Sequence, residues 1–134
     1  MRSNIRCIVI TPEAQAVDAE AFDVVLPAYD GSRGILAGHA PLLCRLGVGL
    51  LRYRDLQNQS YAVFIEGGFG HVRDNEVTIL TRSALTAADL TAAEAQEQLR
   101  QAQALPTLSI DEVCARRAAI HRAEQLMTLT EKQA

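Results

Sequence analysis

Two periodicities divide this chain. Up to about residue 84 the apolar residues come in short, β-branched runs broken by turn residues; beyond it they recur in a background of Ala, Gln and Glu. Ile5-Arg-Cys-Ile-Val-Ile10 reads as a strand stopped by Pro12, and Ala21-Phe-Asp-Val-Val-Leu26 as another ended by Pro27. Leu50–Arg54 and Ser60–Ile65 flank the polar Asp55-Leu-Gln-Asn-Gln59, a hairpin connection. Phe69–Arg73 and Glu76–Thr81 flank Asp74-Asn75, a pair that tolerates positive φ in a tight turn. Strands at this spacing predict an all-β sandwich or barrel. Between two of the runs lies Gly31-Ser-Arg-Gly-Ile-Leu-Ala-Gly-His-Ala-Pro-Leu-Leu43, whose glycines, histidine and proline predict a shaped loop carrying no catalytic group.

After Ser83 the composition changes to strong helix formers, with neither Gly nor Pro before Pro106. Thr91-Ala-Ala-Glu94 and Ser109-Ile-Asp-Glu112 both match a capping box. Helices are predicted over about 91–104 and 110–129, joined by Leu105-Pro-Thr-Leu108, and so short a joint favours an antiparallel hairpin. The first helix offers Ala92, Ala95, Leu99 and Ala102 on one face. The second offers Ile110, Val113, Ile120 and Met127, interrupted by Arg117 and Glu124. Such faces bury little area, because alanine contributes far less than the ~1.5–3 kcal/mol of a buried Leu or Ile. Two readings stay open, a movable hairpin and a static one. The expected fold is mainly β plus α, with a β-sandwich domain over 1–84 and a helical hairpin over 85–134.

Composition narrows the function classes. The 134 residues carry a formal net charge of −3 with acids and bases interspersed, which argues against a nucleic-acid binder. No apolar run approaches the ~20 residues of a membrane span, and the start of the chain lacks the apolar stretch of a signal peptide. Cys7, Cys44 and Cys114 are widely spaced and read as reduced, partly buried thiols, with no close Cys/His pair for zinc. No Walker or G-x-S-x-G motif occurs, and Gly67-Gly-Phe-Gly70 reads as a bulge or corner rather than a phosphate loop. His39 reads as a loop-fixing or partner-contacting residue, His71 as structural and His121 as exposed. No nucleophile, base and oxyanion site assembles, so no catalytic residue and no cofactor or metal is expected.

A β domain followed by a two-helix tail, with Gly31–Leu43 between the strands, resembles the epsilon subunit of bacterial F-type ATP synthases. The likeness extends to Thr11-Pro-Glu13, to Gly47-Val-Gly-Leu-Leu-Arg52 and to Phe64-Ile-Glu-Gly-Gly-Phe-Gly-His-Val-Arg-Asp-Asn-Glu-Val-Thr-Ile-Leu80. The resemblance implies a ten-stranded β sandwich that packs on the gamma subunit and rests on the ring of c subunits, as the foot of a rotating central stalk. It implies that Gly31, Ser32, Arg33, Gly34, Gly38 and His39 face the c ring. It implies a helical pair that either folds down or extends between the alpha and beta subunits and inhibits ATP hydrolysis. It also implies a subunit without chemistry of its own, peripheral at the cytoplasmic face of the bacterial inner membrane, in an enzyme that moves protons or sodium ions.

Arg116, Arg117 and Arg122 cluster on the second helix. They suit either acidic residues of a catalytic subunit or ordinary surface pairs such as Glu112–Arg116. Two departures stand out. Family members that bind ATP carry an acid and an arginine where this chain has Thr91 and Glu94, so weak or no ATP binding is expected. Ser32 replaces a common acid and Ala37 a common proline, which leaves the ring contact more dependent on Arg33 and backbone groups. The alternative readings are a free-standing β-sandwich module for a small ligand, short of aromatics to line a pocket, and a small enzyme using His39 or His71.

Overall fold

The computed structural model describes residues 4–132; most of the chain start read above for a signal peptide, Met1–Ser3, and the last two residues of the expected helical region lie outside them. Eight strands form one sheet: β1 (Ile5–Ile10), β2 (Gln15–Ala21), β3 (Asp23–Ala28), β4 (Gly31–Leu36), β5 (Leu42–Arg54), β6 (Ser60–Arg73), β7 (Glu76–Leu80) and β8 (Ala84–Leu85). The order is β2-β1-β7-β6-β5-β3-β4, with β8 also on β6. All ladders are antiparallel except β1 with β7.

The sheet folds over on itself. Cys7 and Val9 of β1 share one buried cluster with Val24 and Leu26 of β3 and Ile35 of β4, although three strands separate β1 from β3 in the sheet order. A sandwich core results, apolar on its inner faces. The fold-over happens within β5 and β6, strands of 13 and 14 residues. In β6, Val63 and Ile65 belong to the core and so does Val72, so the inward alternation changes phase between them. Gly67 and Gly68 sit at that break with φ of +71° and +106°. In β5 the phase changes between Leu46 and Leu51, beside Gly47. The pairing register stays constant from Leu42↔Val72 to Arg54↔Ser60, so both strands turn the corner together. This accounts for the strand count. Two of the expected segments are halves of longer strands, and eight continuous strands replace ten.

Gly68 could be no other residue without movement. A Cβ there would lie 1.9 Å from the Leu80 carbonyl oxygen. The turns follow the sequence signals. Asp74 and Asn75 take φ of 51° and 60°, and Asp55 accepts from the amides of Gln57 and Gln59, both at 2.9 Å, inside the β5–β6 connection.

The chain divides into two compact units, Met1–Leu85 and Thr86–Ala134. The second holds a short 3-10 helix (Ala87–Asp89), α1 (Ala92–Gln103) and α2 (Ile110–Lys132). Thr91 caps α1 by accepting from the Glu94 amide at 3.1 Å, and Ser109 does the same for the Glu112 amide at 3.1 Å. The helices run antiparallel: Arg122 donates to the Gln98 side chain at 2.7 Å and Arg116 to the Gln103 carbonyl at 3.3 Å. The expected apolar face of α2 is rotated. Ala123, Leu126 and Leu129 are the buried positions, whereas Ile110 is 84% exposed and Val113 is exposed too. The reason is length. Arg116 already meets the last residue of α1, so residues 110–115 run past its end and have no helix to pack on.

Candidate docking surfaces

The region expected to be a loop is mostly a strand. Gly31–Leu36 pairs with β3 from Asp23↔Leu36 to Ala28↔Gly31 and forms one edge of the sheet. Only Ile35 points into the core. At one end of β4 the two-residue turn Tyr29-Asp30 leads into Gly31, Ser32, Arg33 and Gly34, all exposed. Arg33 approaches Asp30 at 3.7 Å, and the Arg45 guanidinium lies 4.2 Å over the Tyr29 ring. At the other end Gly38 takes φ of +83°, the His39 amide donates to the Leu36 carbonyl at 3.1 Å, and His39 Nδ1 donates to the Ala40 carbonyl at 2.6 Å. Five strand steps of ~3.3 Å put Gly31 and Leu36 about 17 Å apart. The six residues expected to form one contact loop therefore divide between the strand itself, which holds Gly31, Ser32, Arg33 and Gly34, and the turn after it, which holds Gly38 and His39.

A second surface, absent from the sequence reading, adjoins the first group. Ile10 pairs with Leu80, Leu80 with Phe69, and Phe69 with Arg45, so their side chains form a row across β1, β7, β6 and β5 on the face away from the core. Ile10, Leu80 and Phe69 are exposed, Phe69 by 55%, and Leu43 (69%) and Tyr29 (66%) extend the row. The sequence did carry a signal for it. Ile8-Val-Ile10 and Ile79-Leu80 are apolar on both faces, which an antiparallel sheet with one wet face does not need.

The helical arginines do not form one patch. Arg116 and Arg122 are turned toward α1 by the bonds given above, and Arg117 is exposed beside Leu108, Ile110, Val113 and Cys114 in a shallow groove. The Glu112–Arg116 pair weighed above is replaced by the Arg116–Gln103 bond. With Leu105 and Leu108, Ile110 and Val113 give the hairpin an exposed apolar tip. Thr91 is occupied as a helix cap and Glu94 is exposed in the first turn, where its charge suits the helix dipole. Among the described residues no group of His, Cys, Asp and Glu could hold a metal ion, and no helix is long and apolar enough to cross a membrane. Burial pushes the Cys7 thiol up to about 12, so it is no nucleophile, while Cys114 is exposed rather than partly buried. His71 is exposed on the outer face of β6.

These elements define a class of protein built from a β-sandwich domain, with an exposed apolar row and a free sheet edge, followed by a two-helix unit. The model of the ATP synthase delta/epsilon chain β-sandwich domain matches residues 4–87. The ATP synthase epsilon chain of Rhodopirellula baltica is 38% identical over 120 residues, covering 90% of this chain and 93% of that protein. The epsilon chain of Synechococcus sp. (strain RCC307) is 43% identical over 95 residues, covering 71% and 70%. This chain belongs to the ATP synthase epsilon chain family. Among solved structures, a chain of the Euglena gracilis mitochondrial ATP synthase OSCP/F1/c-ring assembly shares the fold with a TM-score of 0.81, 21% identity and coverage of 93% and 80%. A chain of the Tetrahymena thermophila mitochondrial ATP synthase central stalk and c ring does so with a TM-score of 0.65, 16% identity and coverage of 96% and 98%.

Proposed function

We propose that this chain is the non-catalytic rotor subunit that joins the gamma subunit to the c ring in an F-type ATP synthase. The apolar row Ile10–Leu80–Phe69, with Leu43 and Tyr29, carries the proposal. Such a surface left in water is a liability, and cover by a partner removes it. In this reading the row packs on gamma. The adjoining Gly31–Gly34 end of β4 meets the c ring, with Arg33 and backbone groups making the contact. The Gly38–His39 turn is a second docking point. The subunit is then peripheral, held at the cytoplasmic membrane face by the complex alone, and the ring rather than this chain sets whether protons or sodium ions move.

The helical unit is the regulatory part of the proposal. Its apolar tip and Arg117 are free to meet the alpha and beta subunits and oppose ATP hydrolysis. Arg116 and Arg122 become available to acidic partners only when their bonds to α1 break, each worth about 1.5–3 kcal/mol net because the donor is charged, a cost that new charge-assisted bonds to those partners would offset. Reconstitution with gamma and the other partners, using the full chain and a chain ending at Leu85, tests both parts. Both forms should bind gamma, and the shorter one should leave hydrolysis faster. Failure to bind gamma at micromolar concentration refutes the rotor role, and equal hydrolysis refutes the inhibitory one.

A further inference from the structure

We infer that Asn75 is a positioning residue that holds the Gly38–His39 turn in its docking conformation; this rests on the rotor reading above. The Gly38 amide donates to Asn75 Oδ1 at 2.6 Å, a contact between residues 37 apart in sequence. The Asn75 backbone carbonyl accepts from the Arg6 amide at 2.9 Å. One residue in the β6–β7 turn therefore ties the start of β1 and the β4–β5 turn together.

The residue type points the same way. Asn75 sits at the second central position of a turn in which both central residues have positive φ, and there glycine is the least strained choice. Asparagine tolerates the conformation and adds what glycine lacks, a side-chain carbonyl. The acceptor is used on the residue that most needs a fixed neighbour. Gly38 has φ of +83°, and an added Cβ there would meet nothing within 4 Å, so packing does not hold its backbone. Without the bond, the turn that presents His39 has its strand ends and the local His39–Leu36 and His39–Ala40 contacts to shape it, and all of these lie within the turn and its flanks.

The test compares Asn75→Gly, which keeps the turn conformation and loses the acceptor, with Asn75→Asp, which keeps both. Amide exchange of the full chain is followed by NMR. The Gly38 amide should exchange about tenfold faster in Asn75→Gly and near the wild-type rate in Asn75→Asp, the change that loss of one hydrogen bond brings. Dissociation from a rotor complex of gamma and the c ring should likewise be faster for Asn75→Gly and unchanged for Asn75→Asp. Unchanged Gly38 exchange in Asn75→Gly overturns the inference. Faster exchange with unchanged dissociation overturns its docking half. Failure of the wild-type chain to enter the complex refutes instead the rotor reading on which it rests.

Discussion

Replacing Gly68 by alanine would test the corner on which the sheet folds over. The residue has φ of +106°, where an L side chain is strained, and its Cβ would stand 1.9 Å from the Leu80 carbonyl oxygen and 3.0 Å from the Thr81 Cα. Backbone, not a flexible side chain, must give way. The strained conformation costs about 1–3 kcal/mol, and overpacking adds about 1–3 kcal/mol. The total of roughly 2–6 kcal/mol is a large part of the ~5–15 kcal/mol that a domain has. At 4–8 °C per kcal/mol for a domain of this size, the melting point should fall by about 10 °C or more. The assay is thermal and urea unfolding followed by tyrosine fluorescence. Tyr29, Tyr53 and Tyr61 all lie in the first unit and there is no tryptophan, so the signal reports the sandwich alone. Gly34→Ala is the control. It is a strand position without positive φ, with nothing within 4 Å of the added Cβ, and should shift stability by no more than ~0.5 kcal/mol. If Gly68→Ala melts within a degree or two of Gly34→Ala, the corner is not built as argued.

Three further outcomes follow from the site chemistry. The Asp55 carboxylate is held below its ordinary range by the Gln59 amide, then by the Tyr61 hydroxyl and the Gln57 amide. Its contribution is present above pH ~4 and lost as the pH falls, so Asp55→Ala should melt lower than wild type at pH 7 and the gap should narrow toward pH 3. A constant gap contradicts this. For Cys7, whose thiol is pushed up to about 12, the folded state resists ionisation that the unfolded chain undergoes. Stability from this group is intact below pH ~9 and declines as the pH rises toward 12, by at most about 1.4 kcal/mol per unit. Urea unfolding of wild type should therefore weaken more steeply over that range than that of Cys7→Ala, and parallel slopes would refute it. Calorimetric titration of the full chain with ATP should give no saturable heat at micromolar concentration, because Thr91 is a cap and Glu94 an anion. Micromolar affinity that disappears in a chain ending at Leu85 contradicts the reading.

Much of the fold was legible because it rests on local rules. Runs such as Ile5–Ile10, the Asp74-Asn75 turn and the Thr91 and Ser109 caps each declare themselves within a few residues. What was missed depends on partners distant in sequence. β2, Gln15-Ala-Val-Asp-Ala-Glu-Ala21, is an edge strand rich in alanine and charge, so neither β propensity nor alternation marks it. β4 is built largely of residues that favour turns, and its ladder with β3 overrides that preference. The face of α2 came out wrong because a helix longer than its partner leaves some apolar residues uncovered. The contact residues read as one loop were separated for the same kind of reason. Adjacency in sequence gave no hint that extended backbone would carry Arg33 about 10 Å from the strand end that leads to the His39 turn. The apolar row across β1, β7 and β6 becomes visible only once the register aligns Ile10, Leu80 and Phe69.

That row also offers the most direct measurement. Titration of the gamma subunit with wild-type chain and with the Phe69→Glu/Leu80→Glu variant, both at moderate salt, compares the surface with and without its apolar character. Both side chains are exposed, so the variant's tyrosine-detected melting transition should stay close to wild type. Affinity should drop by about 30-fold or more, as for loss of central contacts worth at least ~2 kcal/mol. Wild-type affinity in the folded variant would contradict the claim that this face is where the rotor holds the subunit.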